Sequence, residues 1–94
     1  MKIKYDIITK KEVFFMDLGK NIQYFRIKNN LTQEQLADKL DVSRQTIYKW
    51  ETGMAIPRGD NIMNLVQLFN ITYDQLFYGV SGKPSNKENN EKQD

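Results

Sequence analysis

Leu36, Ala37 and Leu40 fall at the i, i+1, i+4 spacing that lines one face of a helix, and the stripe stops at Asp41-Val42. A second stripe, Ile47 and Trp50, begins just after Ser43, so two short helices are joined by a tight turn. The starts of both are specified locally. Thr32 caps the first with Gln35 as its reciprocal partner and with Leu31 and Leu36 at the staple positions; Ser43 caps the second, between Val42 and Ile47. Upstream, Leu18, Ile22 and Phe25 predict a helix that starts at an Asp17 cap and ends at Asn29-Asn30, residues that accept a left-handed turn. Downstream, Pro57 bars an earlier start to a helix with the stripe Ile62, Leu65, Val66 and Phe69, for which Asp60 is the expected cap and Asn70 the stop. Ile71-Thr72 then repeats the staple-and-cap device with Gln75 and Leu76, and Gly79 closes a short fifth helix. The expected fold is all-α, with five helices between residues 17 and 79.

The same periodicity turns Arg44, Gln45, Tyr48 and Lys49 outward on the third helix. Arg pairs with guanine O6 and N7, and Gln with adenine N6 and N7, so such a strip at the start of a second short helix suits a major-groove reader. Lys49 stands one turn from Gln45 and reaches a base edge or a phosphate, while Thr46 either touches a thymine methyl or fills the helix. Gln33 opens the second helix, where the helix dipole and a side-chain amide together clamp a phosphate.

These elements carry a family resemblance. Thr32-Gln33 opening the second helix, Leu36-Ala37 within it, Val42-Ser43 before the third, Trp50-Glu51 and Gly53 after it, and the later FNIT-YDQLFYG stretch resemble the Cro/C1-type (XRE) helix-turn-helix regulators over residues 17–79. The resemblance implies a compact five-helix bundle of the phage lambda repressor-like type, with helices 2 and 3 forming the helix-turn-helix. It implies base contacts from Arg44, Gln45, Lys49 and Thr46, and backbone contacts from Gln33, Ser43, Tyr48 and Arg58. It implies a structural ion pair between Arg26 and Glu51, and it allows the loop from Gly53 through Met54, Ala55 and Ile56 to offer backbone N–H groups to phosphate. Asp41 stands where such proteins usually carry Gly, and Arg58 where a Ser cap is more common. Asp tolerates the left-handed conformation better than most residues, so the turn is still expected there. Trp50 and Phe25 are expected in the core, since base stacking would need them exposed.

Composition narrows the class. Among 94 residues there is no Cys and no His, which removes disulfides, thiolate metal sites and the commonest general base, so no enzyme and no cofactor are expected. Lacking a secretory signal and any apolar stretch near the roughly 20 residues that span a bilayer, the chain reads as cytoplasmic. Residues 18–79 carry seven Lys or Arg against six Asp or Glu, so a DNA-binding reading rests on where the charges sit rather than on their sum. The expected partner is double-stranded operator DNA, bound as a homodimer because one short reading helix covers few base pairs. Tyr73, Phe77 or Tyr78 either supply the dimer contact or complete the monomer core. The rival reading is an antitoxin or protein-binding adaptor on the same fold.

Two segments flank this domain. Residues 80–94 lack apolar periodicity and read as a disordered polar tail. Residues 1–16 form an N-terminal extension in which Ile3, Tyr5 and Ile7 alternate like a half-buried strand. It is either a genuine arm or a stretch upstream of a natural start at Met16, since Lys11-Glu12-Val13 is encodable by a strong bacterial ribosome-binding sequence.

Overall fold

A computed structural model describes residues 18–82; the N-terminal extension with its alternating segment, the Asp17 cap and the tail past residue 82 lie outside the described residues. Five helices follow in order: α1 over residues 18–28, α2 Gln33–Leu40, α3 Arg44–Thr52, α4 Gly59–Phe69 and α5 Tyr73–Tyr78. No strand occurs among the described residues.

The helix starts follow the local chemistry. Thr32 and Thr72 each head a complete capping box: the hydroxyl accepts from the N–H of Gln35 or Gln75 at 3.0 Å, and the Gln side chain accepts the N–H of its Thr at 2.9 or 3.0 Å. Ser43 Oγ accepts from the Thr46 N–H at 3.1 Å. A cap of this kind stabilises its helix by about 1 kcal/mol, which matters for elements this short. Helix ends reverse through left-handed residues. Asn30, Asp41 and Asn70 have φ of 59°, 59° and 58°, and Gly53 has 81°. Asp41 thus occupies the left-handed turn between α2 and α3 without a glycine.

α4 departs from expectation. Its cap position is Arg58, in extended conformation with no side-chain cap bond, whereas Asp60 lies inside the first turn and accepts from the Asn61 N–H at 3.0 Å. Pro57, itself buried, fixes the chain so that the helix begins directly after Arg58, too early for Asp60 to act as its cap. Past α5, Gln75 Nε2 donates to the Val80 carbonyl at 3.3 Å and the Gly82 N–H to the Gly79 carbonyl at 2.8 Å.

One core joins all five helices. Leu18, Ile22 and Phe25 of α1 meet Leu36, Ala37 and Leu40 of α2, Ile47 and Trp50 of α3, Ile62, Leu65, Val66 and Phe69 of α4, and Leu76 of α5. Each of the larger side chains contributes about 1.5–3 kcal/mol by leaving water. Phe25 and Trp50 are both 4% exposed, so neither is a stacking platform, and the Phe25 ring lies 5.9 Å from that of Phe69. Phe77 is half-buried against the core, whereas Tyr73 is exposed. Two α1 residues that the apolar stripe does not mark fix its placement. Gly19 lies against the backbone carbonyls of Trp50 and Glu51, and Asn21 Nδ2 donates to the Leu76 carbonyl at 2.8 Å.

Candidate nucleic-acid interface

α3 presents two unlike faces. Ile47 and Trp50 are buried, while Arg44, Gln45, Tyr48 and Lys49 are exposed along the opposite side. Thr46 is half-buried and its hydroxyl shares a 2.9 Å hydrogen bond with Ser43 Oγ, so these two side chains first serve the helix start. Arg58 is exposed beyond the loop that follows α3. That loop keeps fewer free donors than expected. The N–H groups of Gly53, Met54 and Ala55 turn back to the carbonyls of Trp50 and Lys49 at 3.2, 2.8 and 3.2 Å, because the terminal carbonyls of α3 need partners. Those three groups are therefore not presented to a ligand.

Behind the exposed strip stands a buried polar junction. Arg26 Nε donates to Glu51 Oε2 at 2.6 Å and Arg26 Nη2 to Glu51 Oε1 at 3.2 Å, a two-point pair between α1 and α3. The third nitrogen, Nη1, donates to the Leu31 carbonyl at 2.8 Å and so ties in the loop ahead of α2. The two side chains are 11% and 2% exposed, so the pair is largely desolvated and depends on this full set of bonds. Among the described residues no buried side-chain nitrogen or oxygen lacks a partner.

Gln33 links this junction to the surface. Its Nε2 donates to Glu51 Oε1 at 3.0 Å and its Oε1 accepts from Arg44 Nη1 at 3.4 Å. Arg26, Glu51, Gln33 and Arg44 thereby form one chain of contacts from the core to the first turn of α3. The amide orientation is dictated by its neighbours: reversed, it would set an oxygen against a carboxylate and an NH2 group against a guanidinium. Periodicity places Gln33 at the start of α2 but carries no signal for its partners. Beside it a concavity of about 430 Å³ opens between the starts of α2 and α3, lined by Arg26, Leu31, Thr32, Gln33, Glu34 and Arg44. Among the described residues no His, Cys, Asp and Glu group of three or more is placed to hold a metal ion, and no helix is long and apolar enough to cross a membrane.

A reading-length helix held by a capped turn, with its polar face free and its apolar face in the core, defines a helix-turn-helix DNA-binding domain. The helix-turn-helix family model matches residues 22–76, more than half of the chain, and the chain belongs to this Cro/C1-type (XRE) family of DNA-binding transcriptional regulators. It is 41% identical over 64 residues to the HTH-type transcriptional activator BcrR of Enterococcus faecalis, a match covering 68% of this chain and 31% of that protein. It is 39% identical over 56 residues to an uncharacterized HTH-type transcriptional regulator of Methanocaldococcus jannaschii, covering 60% of this chain and 85% of that one. Among solved structures it is similar to the P22 c2 repressor in complex with a synthetic operator, with a TM-score of 0.62 and 29% identity over 66% of this chain and 94% of that chain. Its fold is that of repressor-like regulators, and its relatives are transcriptional regulators rather than enzymes.

Proposed function

We propose that this protein binds double-stranded operator DNA sequence-specifically, with α3 in the major groove, and represses transcription from the cytoplasm by occupying a promoter. The observation that carries the reading is the exposed strip Arg44, Gln45 and Lys49 on a helix whose other face is locked in the core. Such side chains discriminate bases through bidentate contacts, and a rigid helix holds them in register. Arg44, Gln45 and Lys49 read base edges, with Thr46 at the rim of the contact. Gln33, Ser43, Tyr48 and Arg58 hold the phosphates and fix the register. Repression by occupancy is favoured by the likeness to a phage repressor over almost the whole of that chain; the activator relative is matched over only 31% of its length. Two copies related by a two-fold axis double the site that one α3 reads.

Selection of random duplexes by the purified chain tests this. The expected product is a pair of inverted half-sites about 10–10.5 base pairs apart, or a multiple of that spacing, bound by two copies. Recovery of unrelated sequences would remove sequence-specific reading. A single half-site bound by one copy would remove the dimer.

A further inference from the structure

We propose that the concavity where α1 ends against the α4–α5 turn is a binding site for a small apolar monocarboxylate. It measures about 300 Å³, at the lower end of the range in which ligand sites occur, so its occupant is a small molecule. Phe25, Phe69, Ile71 and Val80 supply apolar walls, while Lys28 and Asn70 supply one charge and one amide. None of the residues assigned to DNA lines it, so the site stands apart from the proposed interface and does not depend on that reading.

Three observations say what fits there. The first is charge. Lys28 is exposed and has no carboxylate partner among the described residues; its ammonium stands 5.8 Å from the centre of the Tyr24 ring, one turn back on α1. No Asp or Glu lines the concavity, so its field is that of a single uncompensated cation. The second is the Val80 wall. This residue follows α5 and is 55% exposed, so burial does not hold it in place. Gln75 does: its Oε1 accepts the Thr72 N–H at 3.0 Å, and its Nε2 donates to the Val80 carbonyl at 3.3 Å. Gln35 completes the same capping box at α2, yet its Nε2 has no partner among the described residues, so the second bond of Gln75 is not a requirement of the box. The third is Asn70. Its left-handed backbone ends α4, whereas its side-chain amide makes no hydrogen bond among the described residues and is open to a carboxylate oxygen. A phosphate would call for more cations or donors and would leave the apolar walls unmatched. One negative charge on an apolar body matches both.

The probe is 3-phenylpropanoate, titrated into the full chain and followed by backbone amide chemical shifts. Saturable shifts are expected at Lys28, Asn70, Ile71 and Val80, with a dissociation constant of about 1 mM or below. Acetate, which has the charge without the body, and 3-phenylpropanamide, which has the body without the charge, should give no saturable shifts there. Lys28→Met and Val80→Ser alter exposed positions, so both should keep the parent melting temperature. They should weaken the probe roughly tenfold and fivefold, through loss of a charged hydrogen bond and of apolar contact. Absence of saturable shifts well above that constant would overturn the proposal, as would equal binding of acid and amide. Binding that neither substitution weakens would place the probe elsewhere and overturn it too. Shifts at the same residues that grow with protein concentration alone would show a second copy of the chain filling the concavity, with the same consequence.

Discussion

Replacing Gly19 with alanine is expected to destabilise the domain by more than any surface substitution on α1. A Cβ built there would lie 2.4 Å from the Trp50 carbonyl oxygen and 2.8 Å from that of Glu51. Both are backbone atoms at the end of α3, so no side-chain rotation relieves the clash and one helix must move. Alanine is the better helix former by about 1 kcal/mol, which works in favour of the substitution. Overpacking costs typically about 1–3 kcal/mol and more when backbone has to shift, so the clash wins. For a domain of this size the melting temperature should fall by roughly 10 °C or more. Gly59→Ala is the control. Nothing lies within 4 Å of a Cβ at that helix position, so the same change there should leave the melting temperature unchanged or raise it by a few degrees, by about 0.4–1 kcal/mol of stabilisation. Equal melting of the two variants would show that α1 and α3 are not packed as closely as described.

A second large effect is expected at the ion pair. Glu51→Ala leaves the Arg26 guanidinium, 11% exposed, without its carboxylate, and removing one member of a buried pair costs about 3–5 kcal/mol. Small domains are stable by about 5–15 kcal/mol, so much of the reserve disappears. The pair as a whole is worth far less than that loss. Exchanging both members for apolar residues, Arg26→Met with Glu51→Leu, should recover most of the stability, because neither charge is then left buried alone. Denaturant midpoints of the single and double variants measure this. A double variant no more stable than the single would mean that the surrounding bonds, such as Arg26 to the Leu31 carbonyl, matter more than the charges.

What the sequence disclosed was what short-range chemistry controls. Thr32 with Gln35, Thr72 with Gln75, and Ser43 mark helix starts because a capping hydroxyl acts over three residues, and the apolar stripes marked the core because burial follows helical period. Asp41 was readable as a left-handed turn from its place in the family pattern, where Gly is usual, together with the tolerance of Asp for that conformation. Contacts made through space were not legible. Gly19 is a helix breaker in isolation, and only its approach to the end of α3 explains it. Asn21 bonds the Leu76 carbonyl, 55 positions further along the chain, and the bonds from Gln33 to Glu51 and Arg44 depend on the packing of α2 against α3. The misplaced Asp60 cap and the engaged N–H groups of Gly53, Met54 and Ala55 share one cause. How a loop leaves α3 and enters α4 is set by Pro57 and by terminal carbonyls, not by the residue types that elsewhere favour caps or anion contacts.

Binding isotherms for Arg44→Ala and Arg58→Ala, on the preferred operator and its single-base variants over a salt series, test most directly whether α3 reads sequence. Arg44→Ala should lose on the order of 1–3 kcal/mol at the preferred site and relax selectivity at one guanine. Arg58→Ala should weaken all sequences evenly and flatten the salt dependence of log K by about one unit. An Arg44→Ala protein that keeps its full base preference would contradict the assignment of α3 as the reading helix, and the protein-binding alternative would take its place.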